Sequence, residues 1–590
     1  MNIAINGSHN ASIVVEDNGE IVLVLELERF LNLKNSGLAT YNTPKGNIVI
    51  MEHVVKWIRE YLGVEKFDTC YRHMTHTYKG SHLSTKHPPR QLPMCATFIP
   101  ADEYHPSFFH HHSHAAGALY QSPFNKALIF SFDGTGDDGD FLVFLGDKEK
   151  ENSIELLERV CKPGEDTYKD NFLACGIPGR YGTVGEGFPE GKPDFDLGFA
   201  YMIFGHFIDD IRQEPEGIGM GNLVYPGKLM GLAGYGNVKK EWIEPFMEFY
   251  KSDAQGGTYK QRLEVLSSKT GLVFDEANRL KGQEGWDVAA TSQHVFEECF
   301  LEIAKPYLEQ YPDLPVCMAG GCALNIILNT RLVEEFGRTV FVGPVPNDSG
   351  IALGQIAMAC KPEKPYDLTY KGLPILDEVT VIEYFREFPN TRQLTYEEQD
   401  KWDGVTQVPY KTLVDDIIDG KIIGVVRDRA EVGPRALGNR SILCNPSAPD
   451  MKNILNKKVK DREWYRPFAP VVRLEDVEKF FHWKGESRWM SFCPKVRDEW
   501  KEQLSAIVHI DGTARLQTVT EEQNPWLYYM LTELDKKTGV GVLLNTSFNV
   551  NGKPILSTVK DAVHIYKTTE MDGLVINDLY IRKEPFVEEV

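Results

Sequence analysis

Apolar residues follow two rhythms along this chain. Residues 1–15, MNIAINGSHNASIVV, alternate toward a strand, turn through 16–19 and resume as EIVLVLELERF, which predicts a hairpin. The device returns at residues 127–147, where ALIFSFDGTGDDGDFLVFLGD sets two apolar runs on either side of a turn rich in Gly and Asp. A further short run, PVCMAGG at 315–321, leads into CALNIILNTRLVEEFG. There Ala323, Ile327, Thr330 and residues 333–336 recur at helical spacing, so an amphipathic helix begins near the glycine pair. The Pro and Lys mixture of residues 361–374 reads as an interdomain connection. Beyond it, KIIGVVRD and GVLLNTSF are strands flanking helical segments. The pattern predicts an α/β protein of two domains, residues 1–365 and 366–590.

Size and charge narrow the class. A chain of 590 residues with 42% apolar and 25% charged positions is a globular protein with ample length for large cores. The N-terminal stretch lacks the basic start and apolar run of a signal peptide, and no segment approaches the ~18 apolar residues of a membrane span, so a cytoplasmic protein with no membrane partner is expected. Ten cysteines without a CxxC pair point to reduced thiols. A formal charge of -21 repels polyanions, so an anionic ligand needs a locally basic pocket. Residues 427–473 offer one, with eleven Lys or Arg against five Asp or Glu. Residues 69–101 offer another, with Arg72, Lys79, Lys86, Arg90, four histidines and no acid.

The turns NGSHNAS and DGTGDD, each after a strand, suggest a duplicated nucleotide-binding fold in which backbone N–H groups cradle phosphate. AGGCALN would set a helix N-terminus beside the nucleotide. The stretch FHHHSHAAGALY at 109–120 carries four imidazoles. His110 and His114 are four residues apart and share one face of a helix at metal-binding distance. Asp133, at the end of a strand, and Asp348, in the turn VPNDSG, are candidates for the remaining ligands. Such a set suits Fe(II), placed first, or Mn(II) or Zn(II); ligand type alone does not choose among them. Taken alone, an HxxxH pair also fits a solvated helix face.

HHHSHAAGALYQSPF resembles the signature of the NodU/CmcH-type O-carbamoyltransferases, the family of tobramycin and cephem carbamoyltransferases. KLMGLAGYGN at 228–237, MAGGCALN at 318–325, EVGPRALGNRSIL at 431–443, REWYRPFAPVV at 462–472, HIDGTARLQTV at 509–519 and LLNTSFNVNGKPI at 543–555 follow in the family's order. The resemblance implies an N-terminal duplicated actin-like ATPase (ASKHA) domain, similar to threonylcarbamoyl transferases, and a C-terminal YrdC-like domain. The C-terminal domain would make carbamoyl adenylate from carbamoyl phosphate and ATP with Mg(II). The metal-bearing N-terminal domain would pass the carbamoyl group to an acceptor hydroxyl. Four positions depart from the family: Asn10 stands where Asp is usual, Gly234 replaces a proline, and Ala430 and Val432 replace bulkier neighbours of Glu431.

Within that scheme Arg435, Lys460, Arg466 and Arg515 contact phosphate or carbamoyl groups, with Asn545 and Ser547 adding hydrogen bonds from the NTSFN turn. Bidentate Arg suits phosphate oxygens better than Lys does. The competing reading pairs these arginines with Glu431 or Glu463. In the first domain Gly134, Thr135, Gly320, Gly321 and Asn325 would line the nucleotide, and a metal on His110, His114, Asp133 and Asp348 would act where negative charge develops. An alcohol needs a base, and His9 and His111 are the candidates. Lys34 matches a family lysine placed to neutralise the leaving adenylate, and His112 reads as structural or solvent-facing. The basic, aromatic composition of residues 69–101 admits a hydroxymethylated pyrimidine in DNA as acceptor, beside a sugar or other small natural product. An actin-like-fold kinase would explain the glycine turns but not the basic second domain, and a metal or nucleotide sensor has no use for two anion pockets.

Overall fold

The computed structural model describes residues 1–7, 9–37, 44–73, 99–105, 110–134, 136, 139–160, 197–213, 221–251, 259–377, 391–393 and 411–583. The chain divides into two compact units, Met1–Leu368 and Thr369–Val590. Most of the basic segment at 69–101 and Thr135 lie outside the described residues.

The first unit contains one topology twice. Strands β1 (Asn2–Asn6), β2 (Ser12–Asp17), β3 (Glu20–Glu26), β4 (Phe67–His73) and β5 (Ala101–His105) form a sheet of order β3-β2-β1-β4-β5. Strands β6 (Lys126–Phe132), β7 (Phe141–Asp147), β8 (Ile154–Val160), β9 (Val316–Ala319) and β10 (Val340–Val342) form another, which reads β8-β7-β6-β9-β10 from its far edge. In each, three successive antiparallel strands are extended by two parallel ones. The repeated order is the duplication that the resemblance to the actin-like ATPase class implies. The stretch at 1–15 is therefore two strands rather than one, because it turns at residues 9–10 and Asn6 pairs with Ser12. β1 and β6 are central in their sheets, and β6 is buried from Ala127 to Phe132, hence its unbroken apolar run.

Each sheet's last strand is followed by a helix: α1 (His110–Gln121) after β5 and, later in the chain, the helix Ile351–Cys360 after β10. The two helices meet through glycines. A Cβ on Gly354 would lie 1.8 Å from the Ser113 carbonyl oxygen, and one on Gly117 would lie 3.5 Å from the Gly350 oxygen. This close approach holds the start of one helix beside the start of the other, and both starts carry chemistry. The helix after the glycine pair starts later than its periodicity implied. Residues Gly321–Leu324 form a 3-10 turn, and the α-helix spans Ile326–Glu334 with Asn325 as its cap.

The second unit holds one eight-stranded mixed sheet. KIIGVVRD supplies the strand Ile423–Val426 and GVLLNTSF the strand Val542–Ser547, with Arg440–Cys444 between them. Helices Lys411–Ile418 and Pro525–Thr538 bury Leu413, Ile417, Leu527 and Leu531 with Val425 and Leu543 of the sheet. Asn524 caps the longer helix through the Leu527 N–H at 3.0 Å, and Gly539 ends it with φ 74°.

Candidate metal centre and anion site

Two duplicated pairs of elements build the first site. The turns after β1 and β6 bring His9 and Asp133; the helix starts after β5 and β10 bring His110 with His114, and Asp348. His114 Nε2 lies 3.2 Å from His110 Nε2 and 3.5 Å from both Asp133 Oδ2 and Asp348 Oδ1. His110 Nε2 lies 3.8 Å and 3.7 Å from the same two oxygens. All four ligand atoms fall within 4.8 Å of one another. With bonds of roughly 2.1 Å, a tetrahedral site has ligand–ligand edges of about 3.4 Å and an octahedral one about 3.0 Å. The four atoms are thus already spaced around a point where a divalent ion fits, and two carboxylates match its charge. Burial opposes the charge on both acids. At Asp133 hydrogen bonds to His110 and His114 overcome that opposition and hold the carboxyl well below its usual range. At Asp348 the charges of His9 and His110 do the same.

The two candidate bases part company. His9 Nε2 lies 3.3 Å from Asp348 Oδ2, the oxygen turned away from the histidine pair, so the imidazole stands at the rim of the cluster and is 22% exposed. His111 is fully buried, with Nδ1 2.8 Å from Ser131 Oγ and Nε2 3.0 Å from the Gly139 carbonyl. A carbonyl only accepts, so Nε2 carries the proton and Nδ1 takes the Ser131 hydroxyl. His111 ties the turn after β6 in place, and the geometry favours His9 as base. His112 is buried with its ring edge-on to Phe144, a structural position rather than a solvent-facing one. Asn10 has φ 54°, a conformation that Asn and Asp both tolerate. Lys34 is half-buried in the turn after the short helix Leu27–Leu31.

The glycine pair is engaged internally. Gly320 has φ 85°, and a Cβ there would sit 2.0 Å from the Phe132 oxygen, so no other residue fits. Its N–H donates to the Pro346 oxygen at 2.8 Å, and the Gly321 N–H donates to Asp133 Oδ2 at 2.7 Å. The Gly134 N–H donates to Asp133 Oδ1, also at 2.7 Å. The Gly321 and Gly134 donors are thus spent on the Asp133 carboxylate, whereas the sequence reading set these glycine turns beside a nucleotide. Asn325 is buried, accepting from the Leu328 N–H at 3.1 Å and pairing with Gln293.

In the second unit Arg435, Arg462, Arg466 and Arg515 act on one another through their charges. Burial first and Arg466 second push Arg435 down to about 10. Burial, then Arg435, Arg462 and Arg466, hold Arg515 well below its ordinary value. Arg462 is lowered by burial and by Arg466. Among the described residues, Glu463 is the acid that meets this group, 3.5 Å from Arg466. Glu431 Oε1 accepts from the backbone N–H groups of Leu437, Asn439 and Arg440 at 2.7, 2.8 and 3.0 Å, folding the loop that carries Arg435. Lys460 donates to the Ser547 and Asn549 carbonyls at 2.5 and 2.7 Å and so braces the NTSFN turn. Ser547 Oγ bonds Asn549 Oδ1 at 2.8 Å, and the fully buried Asn545 donates to the Ala436 oxygen and to Gln517. Arg462 was not singled out in the sequence; its guanidinium stacks 4.3 Å from the centre of the Phe468 ring.

Comparison with known proteins covers most of the chain. A carbamoyltransferase N-terminus model matches residues 91–358 and a carbamoyltransferase C-terminus model matches residues 414–583. Nodulation protein NolO of Bradyrhizobium diazoefficiens is 32% identical over 81% of this chain and 79% of its own. The 3'-hydroxymethylcephem-O-carbamoyltransferase of Streptomyces clavuligerus is 34% identical over 50% of this chain and 53% of its own. Among solved structures, HypF of T. kodakarensis matches with TM-score 0.36 and 14% identity over 61% of this chain and 47% of that one.

Proposed function

The chain belongs to the carbamoyltransferase family, and on that footing we propose that it is an ATP-dependent enzyme that carbamoylates an alcohol through a carbamoyl-adenylate intermediate. The second unit takes carbamoyl phosphate and ATP, with Mg(II) on the nucleotide. Carbamoyl phosphate, ATP and water give carbamoyl adenylate, phosphate and pyrophosphate. Arg435, Arg462, Arg466 and Arg515 bind the anionic oxygens, and Lys460, Asn545 and Ser547 shape the wall behind them. The YrdC-like reading of this unit comes from the family resemblance.

In the first unit His110, His114, Asp133 and Asp348 would hold a divalent ion, Fe(II) first among the choices, which supplies Lewis-acid stabilisation of charge on the carbamoyl oxygen. His9 takes the proton from the acceptor O–H as that oxygen bonds to the carbamoyl carbon. The bond from that carbon to the adenylate oxygen breaks, and AMP leaves with the electron pair. Asp348 Oδ2 orients His9. Gly134, Gly320, Gly321 and Asn325 frame the adenylate by shape, Thr135 is a candidate by sequence alone, and Lys34 is the family's candidate to neutralise its phosphate. The observation carrying this reading is the convergence of four ligand atoms within 4.8 Å, with His9 on the outward oxygen of one of them.

The acceptor is an alcohol of a small natural product or sugar, or a 5-hydroxymethylpyrimidine in DNA; the basic residues 69–101 support the DNA reading by composition. The test measures phosphate and pyrophosphate release with ATP and carbamoyl phosphate together and singly, then screens hydroxymethylcytosine DNA, sugars and antibiotic alcohols for a carbamoyl mass gain. Release that needs both substrates is expected. ATP turnover without carbamoyl phosphate would overturn the reading in favour of a kinase. No helix among the described residues is long and apolar enough to cross a membrane.

A further inference from the structure

Asp133 stands in a turn, and two elements close on it. On one side is α2 (Leu197–Ile203): a Cβ on Gly198 would lie 2.7 Å from Gly134 Cα and 2.9 Å from the Asp133 carbonyl oxygen. On the other side the 3-10 turn Gly321–Leu324 delivers the Gly321 N–H to Asp133 Oδ2 at 2.7 Å. Neither contact would fix the carboxylate if these two elements moved independently. One side chain joins them, Gln293, on α3 (Gln283–Gln310).

Tyr201 of α2 donates its hydroxyl to Gln293 Oε1 at 2.6 Å, and Asn325, at the end of the glycine turn, donates its Nδ2 to the same oxygen at 3.0 Å. Gln293 Nε2 donates in turn to Asn325 Oδ1 at 3.1 Å and to Glu297 Oε1 at 2.9 Å. A carboxamide has two donors and two acceptor sites, and here all four are used. The residues of the network are 3–7% exposed. At that depth an unmet donor or acceptor carries a full desolvation penalty, so the network has one arrangement that satisfies it. With no capacity left for a ligand, Gln293 acts through its partners.

Resting on the metal reading above, we propose that Gln293 is a positioning residue of the metal centre: it locks α2 to the glycine turn so that Asp133 is clamped from both sides at its distance from His110 and His114. Outer partners of metal ligands affect affinity by roughly 10–100-fold, and a clamp acting one bond further out belongs at the lower end of that range.

The test is titration of the full chain with Co(II), following its visible absorption. Wild type is expected to bind one equivalent. Gln293→Leu, which keeps the bulk and loses all four bonds, is expected to bind about ten-fold more weakly with shifted bands. Asn325→Asp retains the acceptor that caps the following helix but loses the Nδ2 donor, and should reproduce most of that loss. Val24→Ala, in the buried part of β3, should lower the denaturation midpoint without changing Co(II) affinity, separating a general loss of stability from a loss of positioning. If wild type binds no Co(II), the metal reading itself falls. If wild type binds and Gln293→Leu matches it in affinity and spectrum, the metal reading stands and the positioning role is overturned. Should Gln293→Leu fail to fold, Tyr201→Phe carries the test: a loss of a few-fold in affinity supports the clamp, and none overturns it.

Discussion

The two units each gather charge in a confined place, and they account for it in opposite ways. In the first, two carboxylates face two imidazoles that are neutral when they bind a metal, a deficit of two positive charges that a divalent ion makes good. In the second, four guanidiniums face one carboxylate, a surplus of three positive charges among the described residues. The first site is held before its ligand arrives: each acid is hydrogen-bonded by histidines or backbone N–H groups. The second is strained before its ligand arrives, since mutual repulsion and burial both work against its charges. The sign of the imbalance fits the class of ligand proposed for each site.

Removing one imidazole should break the comparison most sharply. His114→Ala is expected to abolish metal binding and cut acceptor carbamoylation by about 10³-fold, several kcal/mol of lost charge stabilisation. Phosphate and pyrophosphate release in the other unit should continue. Loss of both activities together would mean that the sites are not separate in function. Next in size, Arg515→Met should lower adenylate formation by about 10–100-fold, as expected for lost hydrogen bonds to a charged ligand. The same change relieves repulsion, so the ligand-free protein should melt at the same temperature or higher, while phosphate and pyrophosphate no longer raise the melting temperature. A lower melting point without ligand would contradict the picture of a site strained before binding.

His9→Asn should reduce the transfer step by about 10²-fold, the usual worth of a positioned base, with Co(II) affinity within a few-fold of wild type. A large loss of metal would make His9 a ligand instead. The smallest effect tests the scaffold: Gly354→Ala places a methyl 1.8 Å from the Ser113 oxygen and should cost about 1–3 kcal/mol in urea denaturation, by separating the helix that carries His110 and His114 from the one that follows Asp348. A neutral result would mean that the helices have slack, and that the metal distances do not depend on their contact.

Much of this was legible one residue at a time. The HxxxH spacing on a helix, the carboxylates at strand and turn ends and the density of arginine at 427–473 are local patterns whose physics is local too. The glycine pair shows where that reading stops. Its composition says backbone donors beside a helix start, but only the fold reveals that Gly321 points at Asp133 and Gly320 at Pro346. Lys460 likewise has the charge of a phosphate contact and the neighbours of a brace. His111 and His9 are chemically the same group, and what separates them is a carbonyl 28 positions away on one and a carboxylate 339 positions away on the other.

The sequence by itself determined the residue types, the helical spacing of the histidines and the paired strand and turn units, because rotation per residue and charge are properties of adjacent positions. It also carried the ordered motifs of the family. The tertiary structure alone decided which acids meet which imidazoles, which donors remain available and which arginines share one field. In the first unit those depend on contacts between residues hundreds of positions apart, brought together only when two copies of one sheet topology fold and their glycine-faced helices close on each other; in the second they depend on one eight-stranded sheet gathering arginines tens of positions apart.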